Sequence, residues 1–511
     1  MKKLLTVTLT IALLTVMLFT GCGNNDGGEA TGTVQDTITF AQSADITSLD
    51  PHVGKQTVAI TVTGNIFDTL VKYDSEMNIV PNIAESWEVL SDTSVKFNIR
   101  KGIKFHDGSE LTAKDVKYSI ERILDHVEVS YILDFVSDVE IEDDYTVIVN
   151  TSEPFGPILA HFAYPAAAIV PMDVVEADPE GFALNPVGSG PYKFVEWKQG
   201  EYCKLEAFED YYAGKALTQN VVMKVVPEAA QRTIQLETGE IDLSYEVSAN
   251  DVSKIEGNEE LKMYSSQSLK CTFLTMNYTY DGPLKNKDVR HAIELAIDKQ
   301  GIVDAVLYGS GDVASSVVPP LAFGYNPEIG VSEYNVEKAK ELLAEAGYPD
   351  GFEISLWTSD DQTDLEMSQI VKSQLAEIGI TVNLDVIEWG TLLSKLGDPD
   401  HGIIVDYWTT TTADANYTLY PLYHSTVAAT AGNDSFYGEE DVDKLLDAAK
   451  VSLDADERMG YYTELANIVN EDLPYIPMYY PAMTIGANAG IEGLWVSPMG
   501  YHELDRVTLT K

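Results

Sequence analysis

Three tryptophans and two carboxylates stand where short apolar runs give way to polar sequence. Phe352 to Leu356 runs into Trp357, Val382 to Ile387 is followed closely by Trp389, and Ile403 to Val405 leads into Asp406, Tyr407 and Trp408. The last run continues as Thr409-Thr410-Thr411-Thr412-Ala413-Asp414, a hydroxyl-rich stretch with almost no hydrophobe until Leu419. Rings supply apolar area, and hydroxyls and carboxylates accept hydrogen bonds, so this combination suits non-covalent capture of a solute. Covalent chemistry has no comparable signature here. No Gly-x-Ser-x-Gly elbow, Gly-x-x-x-x-Gly-Lys loop or His-Glu-x-x-His pair occurs.

Elements must bring these residues together. The three apolar runs read as buried strands, and a helix around Ile370 to Ile378 makes the first two a right-handed βαβ crossover. Parallel strands of a doubly wound sheet end at one edge, where such sheets bind ligands. Trp357, Trp389 and Trp408 are therefore expected at one cleft, with Asp406, Tyr407, Thr411 and Asp414 beside them. For each tryptophan taken alone, core packing is the competing expectation.

The whole chain is too long for a single core. Its 511 residues should form two or three domains, and a hydrophobic fraction of 45% is enough to fill them. Eighty-one acidic residues against 33 basic ones give a formal charge of -48, which repels phosphate backbones and excludes nucleic acid as a partner. The acids are spread along the chain, so the charge describes a solvated surface rather than a cation site.

The first residues are a different material. Lys2 and Lys3 precede an uncharged apolar run from Leu4 to Phe19, closed by Thr20, Gly21 and Cys22, as in a secretory signal. The small residues before Cys22 resemble a bacterial lipoprotein cleavage box. That resemblance implies residues 1–22 as signal peptide, lipidation of Cys22 and a lipid anchor in the cell membrane. Residues 23–37 read as a flexible tether. Cys203 and Cys271 are the other cysteines; two buried thiols or a disulfide are both open.

Further along, Trp87, Val89, Val95, Phe97 and Ile99 alternate about Ser91-Asp92 as a hairpin, and Val139 to Val149 forms a second about Asp143-Asp144. Between them Thr112 and Asp115 make a capping box for a helix carrying Val116, Ile120 and Ile123 on one face. Pro227 to Leu243 supplies a helix stopped by Gly239 between two strands. Asn286 and Asn335 cap two more helices. A last helix, clear from Met459 to Val469, leads to an extended segment from Pro474 to Tyr479.

Several phrases, in order, carry a resemblance. Ser48-Leu49-Asp50-Pro51, Ala84-Glu85-Ser86-Trp87, Gly102 to Gly108 with its Phe-His-Asp-Gly end, Thr112-Ala113-Lys114-Asp115-Val116, Gly188-Ser189-Gly190-Pro191-Tyr192 and Val289-Arg290-His291-Ala292-Ile293 are similar to the extracellular solute-binding proteins, family 5, of bacterial ABC importers. The resemblance implies an α/β, two-lobed periplasmic-binding-protein-like fold (type II, cluster C) with an inserted antiparallel subdomain. Lobe I would take residues 38–270, with the insertion at about 53–185. Lobe II would take 271–480, and 481–511 would return to lobe I. It also implies a monomer, a peptide ligand held between closing lobes, and delivery to a permease with ATPase subunits.

Peptide-binding members resemble one another in Trp, two residues, then an Asp that neutralises the peptide's amino terminus. Here Trp408 is followed at that position by Thr411, and Asp414-Ala415 stands where Asp-Pro is usual. A hydroxyl accepts from an ammonium without neutralising it, which leaves Asp406 or Asp414 as substitutes. Neither a cofactor nor a protein metal site is expected, because the eight histidines are dispersed without i, i+3 or i, i+4 pairs. A chelated metal or other non-peptide solute, with His424 nearby, is the alternative ligand. A secreted glycoside hydrolase, its acids hidden among many, is the alternative from another class.

Overall fold

The computed structural model describes residues 33–53, 56–280, 282–428 and 432–511. The signal segment, Cys22 and the tether up to residue 32 lie outside the described residues.

Strand β1 (Thr37–Gln42) buries Ile38 and Phe40 on one face, and helix α1 (Thr57–Ile66) packs beside it through Ala59, Val62 and Ile66. The expected hairpins follow. β2 (Ala84–Ser91) and β3 (Ser94–Ile99) pair with Trp87 opposite Phe97 and Val89 opposite Val95. β4 (Val136–Asp143) and β5 (Thr146–Thr151) complete a four-stranded antiparallel sheet in the order β2-β3-β5-β4. Helix α2 (Ala113–Asp125) lies on it, its first turn held by the Asp115 carboxylate accepting the Thr112 N–H at 2.9 Å. That is the expected capping box, worth about 1 kcal/mol.

The chain re-enters the main sheet through Gly188-Ser189-Gly190. A side chain at Gly188 would sit 2.0 Å from the Ile66 carbonyl oxygen, and the Gly190 N–H donates to that oxygen at 2.8 Å. His106 fits the same turn, with a ring nitrogen 3.0 Å from the Gly190 carbonyl, and so is occupied structurally. Strands β6 (Tyr192–Lys198), β7 (Tyr202–Ala207) and β8 (Asn220–Val225) then form the sheet's outer part, with β8 parallel to β1. Helix α3 (Ala229–Glu237) carries the chain to β9 (Leu243–Tyr245) on the other side of β1, the expected strand-helix-strand unit.

β10 (Leu261–Gln267) and β11 (Lys270–Met276) lead into a second set of elements. Helix α4 (Lys287–Leu295) begins under the Asn286 side chain, which accepts the Asp288 N–H at 2.9 Å; α5 (Val336–Glu345) begins under Asn335 in the same way. β12 (Glu353–Ser359), α6 (Gln362–Glu377) and β13 (Thr381–Ile387) make the crossover, and β12 pairs in parallel with both β13 and β14 (Ile403–Thr409). α7 (Trp389–Lys395) precedes β14. α8 (Asn416–Tyr423), α9 (Glu440–Val451) and α10 (Ala455–Asp472) follow it.

One strand ties the two sets together. β15 (Tyr475–Asn488) pairs with β11 over its first half and with β9 and β10 over its second, so the sheet runs β13-β12-β14-β11-β15-β9-β1-β8-β7-β6. Ile38 and Phe40 belong to one buried cluster and Leu274, Ile293, Leu356 and Ile403 to another. Cys203 and Cys271 are both buried free thiols, in β7 and β11. Among the described residues no helix is long and apolar enough to cross a membrane.

Candidate ligand-binding cleft

Alternation along a strand decides which of the expected residues can meet a ligand. On β12, Ile354 and Leu356 enter the core beneath α4 and α6, so Trp357 points to the opposite face. There it is only 6% exposed, against Leu392 and Ile404, with the Lys395 ammonium 4.4 Å from its ring centre. Trp357 is mid-strand and packed, rather than at a strand end as expected, because β12 continues to Ser359.

Trp389 takes the expected place. It opens α7 just beyond β13, and its ring lies on Tyr407 of β14 at 5.5 Å between centroids and 15° between planes. Both line a cavity of about 630 Å³ at the carboxyl ends of β12 and β13. Its other walls are Ser359 at the end of β12, Asp360, Asp361 and Asp364 around the start of α6, then Lys270 and Thr272 of β11, and Tyr479 and Pro481 of β15. The cavity therefore sits where the two halves of the sheet join.

Charge in this cavity is held by few residues. The Lys270 ammonium lies 3.7 Å from the centre of the Tyr407 ring, and burial lowers its pKa. Burial also raises the Asp364 carboxyl, although the Ser359 hydroxyl donates to it at 2.7 Å. Asp406, next to Tyr407 and therefore on the other face of β14, is pushed up to about 7 by burial first, with Asp434 and Asp364 adding repulsion. It accepts the Tyr407 N–H at 2.7 Å.

The other expected residues belong to a different region. β14 extends through Thr409, and the rest of the hydroxyl-rich stretch is a short loop before α8. Trp408 donates its indole N–H to the Tyr417 carbonyl at 3.1 Å and covers Gly432, where a Cβ would stand 2.7 Å from the ring. Thr411 turns its hydroxyl back to the Thr409 carbonyl at 3.1 Å. Asp414 is taken by Arg458, at 2.9 and 2.7 Å, with both side chains buried. This pair borders a second cavity of about 470 Å³ between the loop, α10 and residues Tyr73 to Ile79. His424 stacks on Tyr420 and lies 3.4 Å from Asp447, and it does not line the Lys270 cavity.

Lys270, Asp361, Asp364 and Tyr479 were not singled out from the sequence. Asp361 had a legible signal, since it caps α6 by accepting the Thr363 N–H at 2.8 Å. Lys270 stands at the expected crossing near Cys271, but a lysine at a strand start is ordinary without its neighbours.

Contacts between the first and second sets of elements are direct. The Tyr73 hydroxyl donates to the Thr412 carbonyl at 2.7 Å, the Gly156 N–H to the Lys450 carbonyl at 2.8 Å, and Lys450 pairs with Glu153 at 2.6 Å.

Residues 78–430 match the family described as bacterial extracellular solute-binding proteins, family 5 Middle. The chain belongs to this family. Among curated relatives, the glutathione-binding protein GsiB of Salmonella choleraesuis is 28% identical over 473 residues, covering 90% of this chain and 92% of GsiB. Among solved structures, the periplasmic binding protein DppA of Helicobacter pylori, in complex with the peptide STSA, is 30% identical with a TM-score of 0.78, covering 94% of this chain and 99% of DppA. The oligopeptide-binding protein AppA of Bacillus subtilis, in complex with a nonapeptide, is 29% identical with a TM-score of 0.74, covering 94% and 100%. This solute-binding protein thus has the α/β fold of periplasmic binding proteins, and the relatives named are binding proteins, DppA being ABC transporter-associated.

Proposed function

We propose that this solute-binding protein captures a peptide between two lobes and delivers it to a membrane permease driven by ATPase subunits. The observation that carries the proposal is the stacked pair of Trp389 and Tyr407, lining a cavity of about 630 Å³ that the connecting strand β15 also borders. Ligand in that position touches the second set of elements and the connecting strands β11 and β15 at the edge of lobe I, so its binding can bias how the lobes approach across that connection. The peptide complexes of DppA and AppA support the ligand class.

Lobe I in this proposal comprises residues 38–270 and 481–511, and lobe II residues 271–480. Ring stacking and backbone hydrogen bonding give affinity, while a wide cavity tolerates varied side chains. Lipidation at Cys22 holds the monomeric protein at the outer face of the cell membrane, its acyl chains anchoring it at about 0.8 kcal/mol per buried methylene. The experiment that tests the ligand class is mass spectrometry of what co-purifies, followed by calorimetric titration of a mixed di- to nonapeptide pool. Recovery of peptides supports the proposal. Recovery of only a metal chelate or a non-peptide solute, with no heat from the pool, overturns it.

A further inference from the structure

Among the described residues lining the larger cavity, Lys270 is the only cation. An ammonium has three donors. The Lys270 ammonium stands over the face of the Tyr407 ring with no ion pair among the described residues, while Asp364, Asp361, Glu246 and Asp406 act on its charge from further away. The ring attracts the charge but accepts no full set of hydrogen bonds.

The acids of the same cavity are differently placed, because each already has donors from the chain. Asp361 accepts the N–H groups of Thr363 at 2.8 Å and Asp364 at 3.3 Å. Asp364 accepts the Ser359 hydroxyl at 2.7 Å, and Asp360 accepts the Trp389 N–H at 3.2 Å. Two of these bonds fix the start of α6 and a third, from the Trp389 backbone N–H, fixes the start of α7. What the Lys270 ammonium lacks among the described residues is an acceptor in direct contact, which a ligand carboxylate would supply.

We infer that Lys270 is the specificity-determining residue of this cavity and pairs with a carboxylate of the ligand. This rests on the peptide reading above and names the handle by which a peptide is held: a carboxylate, terminal or from an acidic side chain, instead of the amino-terminal ammonium. A charged pair shielded from water forms strong hydrogen bonds, whereas an ammonium near Thr411 meets a neutral hydroxyl that can accept from it but cannot neutralise it. Three aspartates in the same lining repel any negative charge not seated on Lys270, so a phosphate or dianion is disfavoured and the fit is one carboxylate in direct contact with Nζ on a neutral or cationic remainder.

The test compares three tripeptide pools by calorimetry against the purified full-length protein: free carboxylate, carboxyl-terminal amide, and amide with one glutamate. The expected result is binding of the free-carboxylate pool and weakening by about tenfold or more for the plain amide. Recovery in the glutamyl amide identifies a side-chain carboxylate as the source, and no recovery identifies the terminus. In Lys270→Met the difference between free carboxylate and amide falls to within about twofold, and in Lys270→Arg it is retained, which separates loss of charge from misfolding. Equal binding of acid and amide pools by the unaltered protein overturns the inference and leaves peptide capture standing. Wild-type preference retained in Lys270→Met also overturns it. Binding of none of the pools overturns the inference and the peptide reading together.

Discussion

Asp414 meets Arg458 in a buried two-armed ion pair, Oδ2 to Nη1 at 2.9 Å and Oδ1 to Nη2 at 2.7 Å, and Nη2 donates further to the Tyr462 hydroxyl at 2.9 Å. The carboxylate that the sequence offers as a partner for a ligand ammonium is thereby committed within the fold. The Arg458 Nε–H is committed too, donating to the Ala449 carbonyl at 3.1 Å, so four of the five guanidinium N–H groups are met within the fold.

Removing one member of that pair leaves the other charged and buried. Arg458→Met is expected to destabilise the protein by about 3–5 kcal/mol in urea denaturation, and Asp414→Asn to do nearly as much. Full stability in Arg458→Met would show that the pair contributes little.

Trp389 and Tyr407 should report ligand, and Trp357 should not. Truncating Trp389 to Ala is expected to weaken binding by about 1 kcal/mol or more and to abolish ligand-dependent change in tryptophan fluorescence. Trp357→Phe, altering a ring packed against Leu392 and Ile404, should leave affinity within about twofold. Fluorescence titration alongside calorimetry distinguishes them.

Asp406 gives a signed pH dependence. A carboxyl ordinarily titrates near ~4, and in the folded protein this one is raised to about 7 by burial and by Asp434 and Asp364. Between those values the folded state holds a proton that the unfolded chain has released, so this group's effect is to lower stability as pH rises through that window. Asp406→Asn should therefore gain stability relative to the parent at about pH 8 and show little gain at about pH 4. Denaturation curves at both pH values measure it. An unchanged difference between them would place the Asp406 titration outside the window.

The Tyr73 hydroxyl bonds the Thr412 carbonyl across the approach of the two sets of elements. Tyr73→Phe removes one hydrogen bond, about 1 kcal/mol, from that approach. Ligand affinity is expected to fall a few-fold, with a larger radius of gyration in solution scattering of the ligand-free protein. Identical scattering and affinity would mean the bond does not bias the approach.

Cys203 and Cys271 should behave as separate thiols. Burial pushes Cys203 up to about 12 and raises Cys271 as well, so neither forms the reactive thiolate near neutral pH. A thiol reagent should reach them only after denaturation, with equal mobility on reducing and non-reducing gels. A mobility difference would reveal a bridge.

What the sequence determined by itself was local and periodic. Alternation at Trp87 and Val89 set the first hairpin, Thr112 with Asp115 and the Asn286 and Asn335 caps set helix starts, and the spacing of apolar runs predicted parallel strands β12, β13 and β14. The family, too, was legible, because its phrases fall at turns and caps whose backbone geometry demands particular residues, such as Gly188 against Ile66. Tertiary structure alone decided which side chains face the cavity. One residue's difference in strand position sends Tyr407 into it and Asp406 away, and a strand two residues longer than expected carries Trp357 into the packing instead. Asp414 met Arg458 from 44 positions along the chain, and Lys270 met Tyr407 across neighbouring strands. Such pairings depend on distances in space, which single-sequence spacing does not encode. They are what move the candidate ligand handle from an acid in the 411–414 loop to the lysine at residue 270.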